Sequence, residues 1–212
     1  MSQELNYPIF EDEHYIVRSC CKGEFGGALF FKHKKSQRTF SCRATCIAGV
    51  HKIDNSYFIT SSLAHGNGFS KVSEVEDPKK MFEIKDQKQL FDCSWYDIYP
   101  EDPRDEVSHP VGYSRNQGRK ILLDTMGLFI LGSFDYKNHL YHIYSDIHNS
   151  YIGYINNGKL SPIDTIYSKP MWLSEVRDLK HNSNIFPIRR RGMKGIILRQ
   201  NNKLKIIEFI NN

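Results

Sequence analysis

The sequence predicts an all-β fold built from repeated antiparallel hairpins. Short runs of aliphatic, β-branched and aromatic residues recur along the 212-residue chain and stop at Asn, Asp or Gly. Two successive hairpins are clearest between Gly127 and Ile163, where GLFILGSF turns at DYKN into HLYHIYSD, and SYIGYI turns at NNG into KLSPI. Turn residues interrupt the apolar runs too often for a sustained helical period, so strands are favoured over amphipathic helices.

Glycine-led hairpins recur at a spacing of roughly 100 residues, which is the mark of an internal repeat. Gly27 precedes ALFF and Gly127 precedes LFIL, and each run continues into a polar turn and a return strand. A second hairpin follows each of them, with Gly49 or Gly153 just ahead of its turn. A shorter copy begins at Gly195 with IILR, the turn QNN and KLKIIEF.

The runs GGALFF, GLFILGSF and KGIILR, each followed by a polar turn and a return strand, resemble the repeated strands of a small β-propeller. Counting one sheet at each of the five glycines, the resemblance implies a five-bladed propeller similar in size to the five-bladed lectin propellers. It also implies that HYIVRSC completes the last sheet beside KLKIIEF. The chain has no WD dipeptide, kelch glycine pair or calcium-binding Asp box. A twisted antiparallel β-sandwich is the structural alternative.

No linker rich in Pro, Gly or Ser divides the chain, so residues 1–212 are predicted to form a single domain. Residues 1–13 are interpreted as an N-terminal arm, because Pro8 and the acidic cluster of residues 11–13 disfavour regular structure. Residues 87–117 are polar and contain three prolines. They are interpreted as a long loop, and loops of that length usually serve a function.

The amino-acid composition disfavours nucleic-acid-binding, membrane-spanning and secreted proteins. The net charge is +5, with Lys and Arg scattered among Asp and Glu, so a mixed solvated surface is favoured over a nucleic-acid-binding one. No run approaches the ~18 apolar residues of a membrane span, and the N-terminus lacks the basic and apolar regions of a signal peptide. The odd set of cysteines forms no pair of CxxC motifs, so free thiols and a cytoplasmic location are expected. The cysteines are Cys20, Cys21, Cys42, Cys46 and Cys93.

The main functional hypothesis is a non-enzymatic recognition module that binds a protein, peptide or glycan. Aromatic residues make up 13% of the chain, and the long loop carries Trp95, Tyr96 and Tyr99. Aromatic side chains supply large contact area at low conformational cost. His142 and Tyr144 on the return strand HLYHIYSDIH are further ligand-binding candidates. No cofactor is expected, and the sequence leaves the oligomeric state open.

The same return strand carries the candidates for chemistry. Alternation places His142, Tyr144, Asp146 and His148 on one strand face. An Asp-x-His pair could supply two metal ligands, or a base with its orienting carboxylate, but no third partner is identifiable and no metal site is predicted. The alternative function is a small hydrolase that resembles the five-bladed glycoside hydrolases. Asp124 and Asp146 would then be the paired carboxylates, which must converge to about 5–9.5 Å.

A basic cluster near the C-terminus is a candidate anion-binding site. Arg189, Arg190 and Arg191 are consecutive, and Lys194 follows closely. Guanidinium groups bind phosphate or carboxylate. Three consecutive residues of an extended segment cannot all face one way, so a solvated connector is the alternative interpretation.

Overall fold

The computed structural model describes residues 8–21, 23, 27–63, 68–85, 118–173, 185–190, 193–200 and 203–209. The described residues form four antiparallel sheets, here called A to D, and one short 3-10 helix at Pro78–Lys80. The prediction of an all-β chain is confirmed at this level. None of the helical structure within these ranges is long and apolar enough to cross a bilayer.

The sheets are formed by consecutive parts of the chain, with one exception. The last strand of sheet A, Phe82–Ile84, follows three strands of sheet B in the sequence. Sheet A contains, in spatial order, β1 (Phe10–Glu11), β2 (Tyr15–Cys21), β3 (Gly27–His33), β4 (Thr39–Arg43) and β8 (Phe82–Ile84). Sheet B contains β5 (Ile47–Ile53), β6 (Ser56–Leu63), β7 (Phe69–Val75) and β9 (Lys120–Met126). Sheet C contains β10 (Phe129–Tyr136), β11 (His139–Ser145), β12 (Ser150–Asn156) and β13 (Lys159–Tyr167). Sheet D contains β14 (Trp172–Leu173), β15 (Ile185–Arg190), β16 (Met193–Gln200) and β17 (Lys203–Phe209).

Two strands that the sequence marked by unbroken apolar runs are buried on both faces. Every residue of β3 from Gly27 to Phe31 is buried, and so is every residue of β10 from Phe129 to Phe134. A strand covered on both sides has no solvent face, so its side chains need not alternate between apolar and polar. This explains why ALFF and LFIL carry no period-2 pattern.

The apolar cores lie between neighbouring sheets. One cluster, including Val17 and Phe31 of sheet A and Ile59 of sheet B, fills the space between these two sheets. A second cluster, including Leu131 of sheet C and Ile197 of sheet D, fills the space between the other two. Four strands, one from each sheet, are also neighbours in series, since β5 contacts β2 and β10, and β10 contacts β14.

The number and composition of the sheets differ from two expectations. The described strands form four sheets where five were counted, because Gly127 and Gly153 both belong to the region of sheet C. HYIVRSC does not lie beside KLKIIEF: it contributes β2, which pairs with β1 and β3 in sheet A. The predicted arm, residues 1–13, contains β1, and residues 1–7 lie outside the described part.

Three of the four described cysteines are not the free thiols that the sequence suggested. A disulfide joins Cys21, at the end of β2, to Cys46, just before β5, and Cys20 is also disulfide-bonded. Cys42 is a buried free thiol whose pKa is raised by burial. Pairing depends on proximity in the fold, which cysteine spacing did not reveal. The Cys21–Cys46 bond ties sheet A to sheet B, and cysteine usage no longer supports a reducing compartment.

Removing the Cys21–Cys46 bond should lower the free energy of unfolding by about 3 kcal/mol, because closing a loop of this size restricts the unfolded chain. The two cysteines are 25 positions apart. Urea unfolding without reductant compares wild type with Cys21→Ser plus Cys46→Ser. The neighbouring substitution Thr45→Ser is the control and should change stability by less than about 0.5 kcal/mol. Equal stability of the double variant and wild type would contradict the expectation.

Candidate binding groove between sheets A and B

An aspartate fixes the turn between β1 and β2. Asp12 Oδ1 accepts hydrogen bonds from the backbone N–H groups of His14, at 2.8 Å, and Tyr15, at 2.7 Å. A carboxylate that binds the backbone two and three residues later stabilises a tight turn by replacing a backbone acceptor. The turn thereby positions both the end of β1 and the start of β2.

The other oxygen of the same carboxylate reaches across to sheet B. Asp12 Oδ2 accepts a hydrogen bond from Lys52 Nζ at 2.7 Å and from Tyr57 Oη at 2.6 Å. Lys52 Nζ also lies 2.8 Å from Glu13 Oε1. The Asp12 side chain is only 7% exposed, so these bonds operate largely out of water. Asp12 therefore connects a turn of sheet A to the β5–β6 hairpin.

The network moves the pKa values of its members apart. Burial alone raises the pKa of the Asp12 carboxyl, but the hydrogen bonds from Lys52, Tyr57 and two backbone N–H groups outweigh it and hold that pKa well below its ordinary value. Burial and the bond to Asp12 raise the pKa of Tyr57 far above its ordinary value. The bonds to Asp12 and Glu13 raise the pKa of Lys52. At neutral pH the site holds an ionised carboxylate, an ammonium and a neutral phenol.

Aromatic rings form the base of the site. The ring of Tyr57 meets the rings of Phe31 and Tyr15 edge-on, with centroids 5.2 Å and 5.8 Å away. Tyr15 also contacts His33, with ring centroids 5.2 Å apart. Edge-on packing of this kind holds large rings in fixed orientations. The polar network therefore rests on a rigid aromatic base.

An open groove of about 300 Å³ lies over this base and is called the Asp12 groove below. Its walls come from the β1–β2 turn, the β3 end, the β5–β6 hairpin and the 3-10 helix. The lining residues are Glu13, His14, Tyr15, His33, Lys52, Asn55, Tyr57, Glu76, Asp77, Pro78 and Lys79. They combine carboxylates, ammonium groups, imidazoles and phenols within one concave surface.

Two carboxylates in the wall of the groove are held by partners of their own. The bond from Lys52 lowers the pKa of Glu13, which is the opposite of what a general acid requires. Asp77 caps the 3-10 helix by accepting the Lys79 backbone N–H at 3.0 Å. Within the described ranges, no group of three or more His, Cys, Asp or Glu side chains is arranged to hold a metal ion.

The predicted catalytic residues do not form a common site. Asp124 lies on β9 of sheet B, where its carboxylate is 2.8 Å from Lys71 Nζ. Asp146 follows β11 and forms a turn, accepting the backbone N–H groups of His148 and Asn149, each at 2.7 Å. The side chain of His148 is exposed. The predicted alternation ends with β11, so Asp146 and His148 belong to a turn and not to the strand face.

Two predicted ligand-binding residues are buried inside the fold. His142 is 0% exposed and hydrogen-bonds to Ser133 of β10, and Tyr144 is 3% exposed and packs with Val72 and Leu123 of sheet B. Burial, followed by the neighbouring Tyr151, raises the pKa of Tyr144 to about 12. The two side chains pack between sheets, so the surface proposed below does not include them.

The remaining predicted residues are described only in part. Arg189 on β15 is exposed and pairs in register with Lys194 on β16. Trp95, Tyr96, Tyr99 and Arg191 lie outside the described residues, as does the side chain of Arg190.

Comparison with known proteins adds no relative. No family model matches the chain. No curated protein and no solved structure matches it either. The functional argument therefore rests on the Asp12 groove and its surroundings.

The sequence analysis did not identify the residues at the centre of the groove. Asp12 fell within the acidic stretch interpreted as an arm, while Lys52 and Tyr57 belonged to an ordinary hairpin. A signal was nevertheless present, because Asp12-x-His14 repeats as Asp146-x-His148, and both aspartates form the same turn. In each case the second carboxylate oxygen accepts a tyrosine hydroxyl, from Tyr57 or from Tyr151.

Proposed function

We propose that the protein is a non-enzymatic recognition module that binds a protein, peptide or glycan in the Asp12 groove. The observation that carries this proposal is the fixed network of Asp12, Lys52 and Tyr57 beneath an open surface of mixed polar and aromatic character. Side chains that are already held in place lose little entropy when a ligand binds. Polar ligands also need donors and acceptors in fixed positions beside an apolar surface.

The same proposal includes a propeller-like arrangement of the sheets. Sheets B, C and D are antiparallel and four-stranded, which is the form of a propeller blade, and sheet A has the same form with one extra strand. The series of contacts from β2 through β5 and β10 to β14 supports one strand of each sheet gathered toward a common centre. In such a fold, binding sites are built from turns at one end of neighbouring blades, which is the position of the Asp12 groove between sheets A and B.

The predicted loop, residues 87–117, lies outside the described residues, but the residues that flank it support a role near the groove. The chain leaves sheet A after β8 and re-enters sheet B at β9, so residues 87–117 join two sheets that flank the groove. At the re-entry point, Gly118 lies against the backbone of Lys80 and Met81. Lys80 ends the 3-10 helix that supplies Pro78 and Lys79 to the groove wall.

The glycoside hydrolase alternative has less support. Asp124 lies on β9 of sheet B and Asp146 in the turn that follows β11, and each carboxylate is engaged by its own partners. The hydrogen bonds from Asn149, His148 and Tyr151 outweigh the effect of burial and lower the pKa of Asp146. A general acid for glycoside cleavage needs a raised pKa.

Arrays of defined oligosaccharides and peptides, probed with purified protein, test the recognition proposal. For a probe that binds wild type, Asn55→Ala with Lys79→Ala should weaken binding by more than about tenfold, because hot-spot truncations cost at least this much. The control is Lys159→Ala with Lys205→Ala, which changes two exposed lysines on sheets C and D. An array without any wild-type binding, or equal losses in both variants, would contradict the proposal.

The variant Trp95→Ala with Tyr96→Ala tests whether the predicted loop contributes to binding in addition to the Asp12 groove or in place of it. If both the loop variant and the groove variant lose the probe, the binding surface spans the two. If only the loop variant loses it, recognition is supported and the Asp12 groove is excluded as the binding site.

A further inference from the structure

A buried polar chain crosses the interface between sheets B and C. Thr60 Oγ1 on β6 lies 3.1 Å from Ser133 Oγ on β10, and Ser133 Oγ lies 2.8 Å from His142 Nδ1 on β11. The ring of His51 on β5 hydrogen-bonds to the backbone of Ser133. Thr60, Ser133 and His142 are at most 2% exposed. Two imidazoles and two hydroxyls thus form part of the contact between these sheets, beside Ser70 Oγ of β7, which accepts the backbone N–H of Ile130 at 2.8 Å.

The serine and histidine of this chain are not a catalytic pair. Their spacing is that of a nucleophile and its base, but both side chains are enclosed, so substrate has no access to Ser133 Oγ. His142 Nε2 is buried and lacks a hydrogen-bond partner. A buried polar atom without a partner is costly and calls for a physical role.

The two large apolar cores lie on either side of this interface. One belongs wholly to sheets A and B, here called the AB half, and the other wholly to sheet C, sheet D and the segment between them, here called the CD half. Across the interface, the described apolar cluster has four buried members, Val72, Leu123, Ile130 and Tyr144, with six partly buried hydrophobic residues packed against them. Separation of the halves would expose this cluster and leave both large cores intact.

Burial makes protonation of both imidazoles unfavourable while the interface is closed, and the charged groups around them change this effect in both directions. Burial lowers the pKa of His51 to about 4; Asp135 of β10 opposes this effect and Arg199 of β16 adds to it. Burial, followed by the charge of His51, lowers the pKa of His142 to about 3. Protonating either ring disfavours protonation of the other, because like charges repel.

We propose that the interface between sheets B and C is an acid-sensitive joint, at which the AB half and the CD half separate as His51 and His142 take up protons. In the closed form both imidazoles are neutral. In the open form they regain water and their ordinary affinity for protons. The closed form is therefore fully favoured above pH 6.5, the ordinary histidine pKa, and loses that advantage as the pH falls below it. Each histidine shifts the opening equilibrium by up to about tenfold per pH unit, and the two together by up to about 100-fold.

Small-angle scattering of the full chain between pH 7.5 and pH 4.5 measures the separation, and hydrogen exchange reports on the two cores. The expected result is an increase in the radius of gyration while Val17 and Phe31 in one half, and Leu131 and Ile197 in the other, stay protected. His51→Gln with His142→Gln should remove the expansion at acid pH. The matched control, His139→Gln with His148→Gln, changes two exposed histidines and should expand as wild type does.

Three outcomes would overturn the proposal. The first is an unchanged radius of gyration in wild type down to pH 4.5. The second is loss of exchange protection in both cores together with the expansion, which would show global unfolding. The third is equal expansion of the His51→Gln, His142→Gln variant and wild type.

A cross-linked variant provides a second test. The side-chain oxygens of Thr60 and Ser133 are 3.1 Å apart across the interface, so Thr60→Cys with Ser133→Cys can form a disulfide between the two sheets. Once oxidised, this variant should stay compact at pH 4.5, and expansion of the cross-linked form would also contradict separation at this interface.

Discussion

Asp12→Ala should lower the free energy of unfolding by about 4 kcal/mol, because removing one member of a buried ion pair leaves its partners without compensation. The substitution deprives Lys52 Nζ, Tyr57 Oη and the backbone N–H groups of His14 and Tyr15 of their common acceptor. It also removes a bond between sheets A and B. Urea unfolding at pH 7 measures the loss.

Two further substitutions and a pH series test whether the loss of stability comes from the ionised Asp12 carboxylate. Glu13→Gln is the control: Glu13 is exposed and contacts the same lysine, and no measurable change is expected. Asp12→Asn keeps an acceptor oxygen for the turn and should lose about half as much as Asp12→Ala. The pKa of Asp12 is lowered on folding, so its contribution is present above its ordinary pKa of 3.8 and declines as the pH falls below it. A full-sized difference between Asp12→Ala and wild type at pH 2 would contradict this account, as would equal stability at pH 7.

Gly27→Ala should cost more than about 3 kcal/mol, because an added methyl group has no space in a packed interior. Gly27 begins β3, with β2 on one side and the end of β4 on the other. A Cβ atom there would overlap the carbonyl oxygen of Cys20 and lie 2.8 Å from the carbonyl oxygen of Ala44. Both obstacles are backbone atoms on opposite sides, so moving away from one strand drives the methyl group into the other.

Gly127→Ala is the matched control for this loss. Gly127 has a φ of +80° and no atom within 4 Å of an added Cβ, so it tests backbone strain without steric overlap. The expected cost is about 1 kcal/mol, the penalty for a left-handed L-residue. Thermal and urea unfolding should agree on the order of the two variants. A loss at Gly27 no larger than that at Gly127 would show that β3 can shift, contrary to the packing described here.

Local chemistry accounts for the features that were predicted correctly. The turns expected at DYKN and NNG occur at Lys137–Asn138 and Asn157–Gly158, all with positive φ. The short helix at Pro78–Lys80 is also local in origin, since Asp77 caps it and Pro78 begins it, and β8 follows after one turn. Each of these depends on a few neighbouring residues, whose conformational preferences are present in the sequence itself.

The features that were not predicted depend on distant partners. The Asp-x-His pattern was interpreted as a possible metal or acid-base pair, but Asp146 serves as a turn former. Cys21 was interpreted as a free thiol, but the fold brings it to Cys46. The strand carrying His142 was identified correctly, yet only the packing of sheet B over it turned a candidate surface residue into a buried one.

Short-range conformational preferences and apolar runs specify the all-β class, the hairpins and their turns, so these features are readable from the residues alone. The four sheets, the disulfide, the Asp12 groove and the buried imidazoles arise from packing between distant parts of the chain. Asp12 meets Lys52 and Tyr57 across 40 and 45 residues, and Thr60 meets Ser133 across 73. Contacts of this range arise from the way whole sheets pack, and no local pattern in a single sequence records which sheets become neighbours.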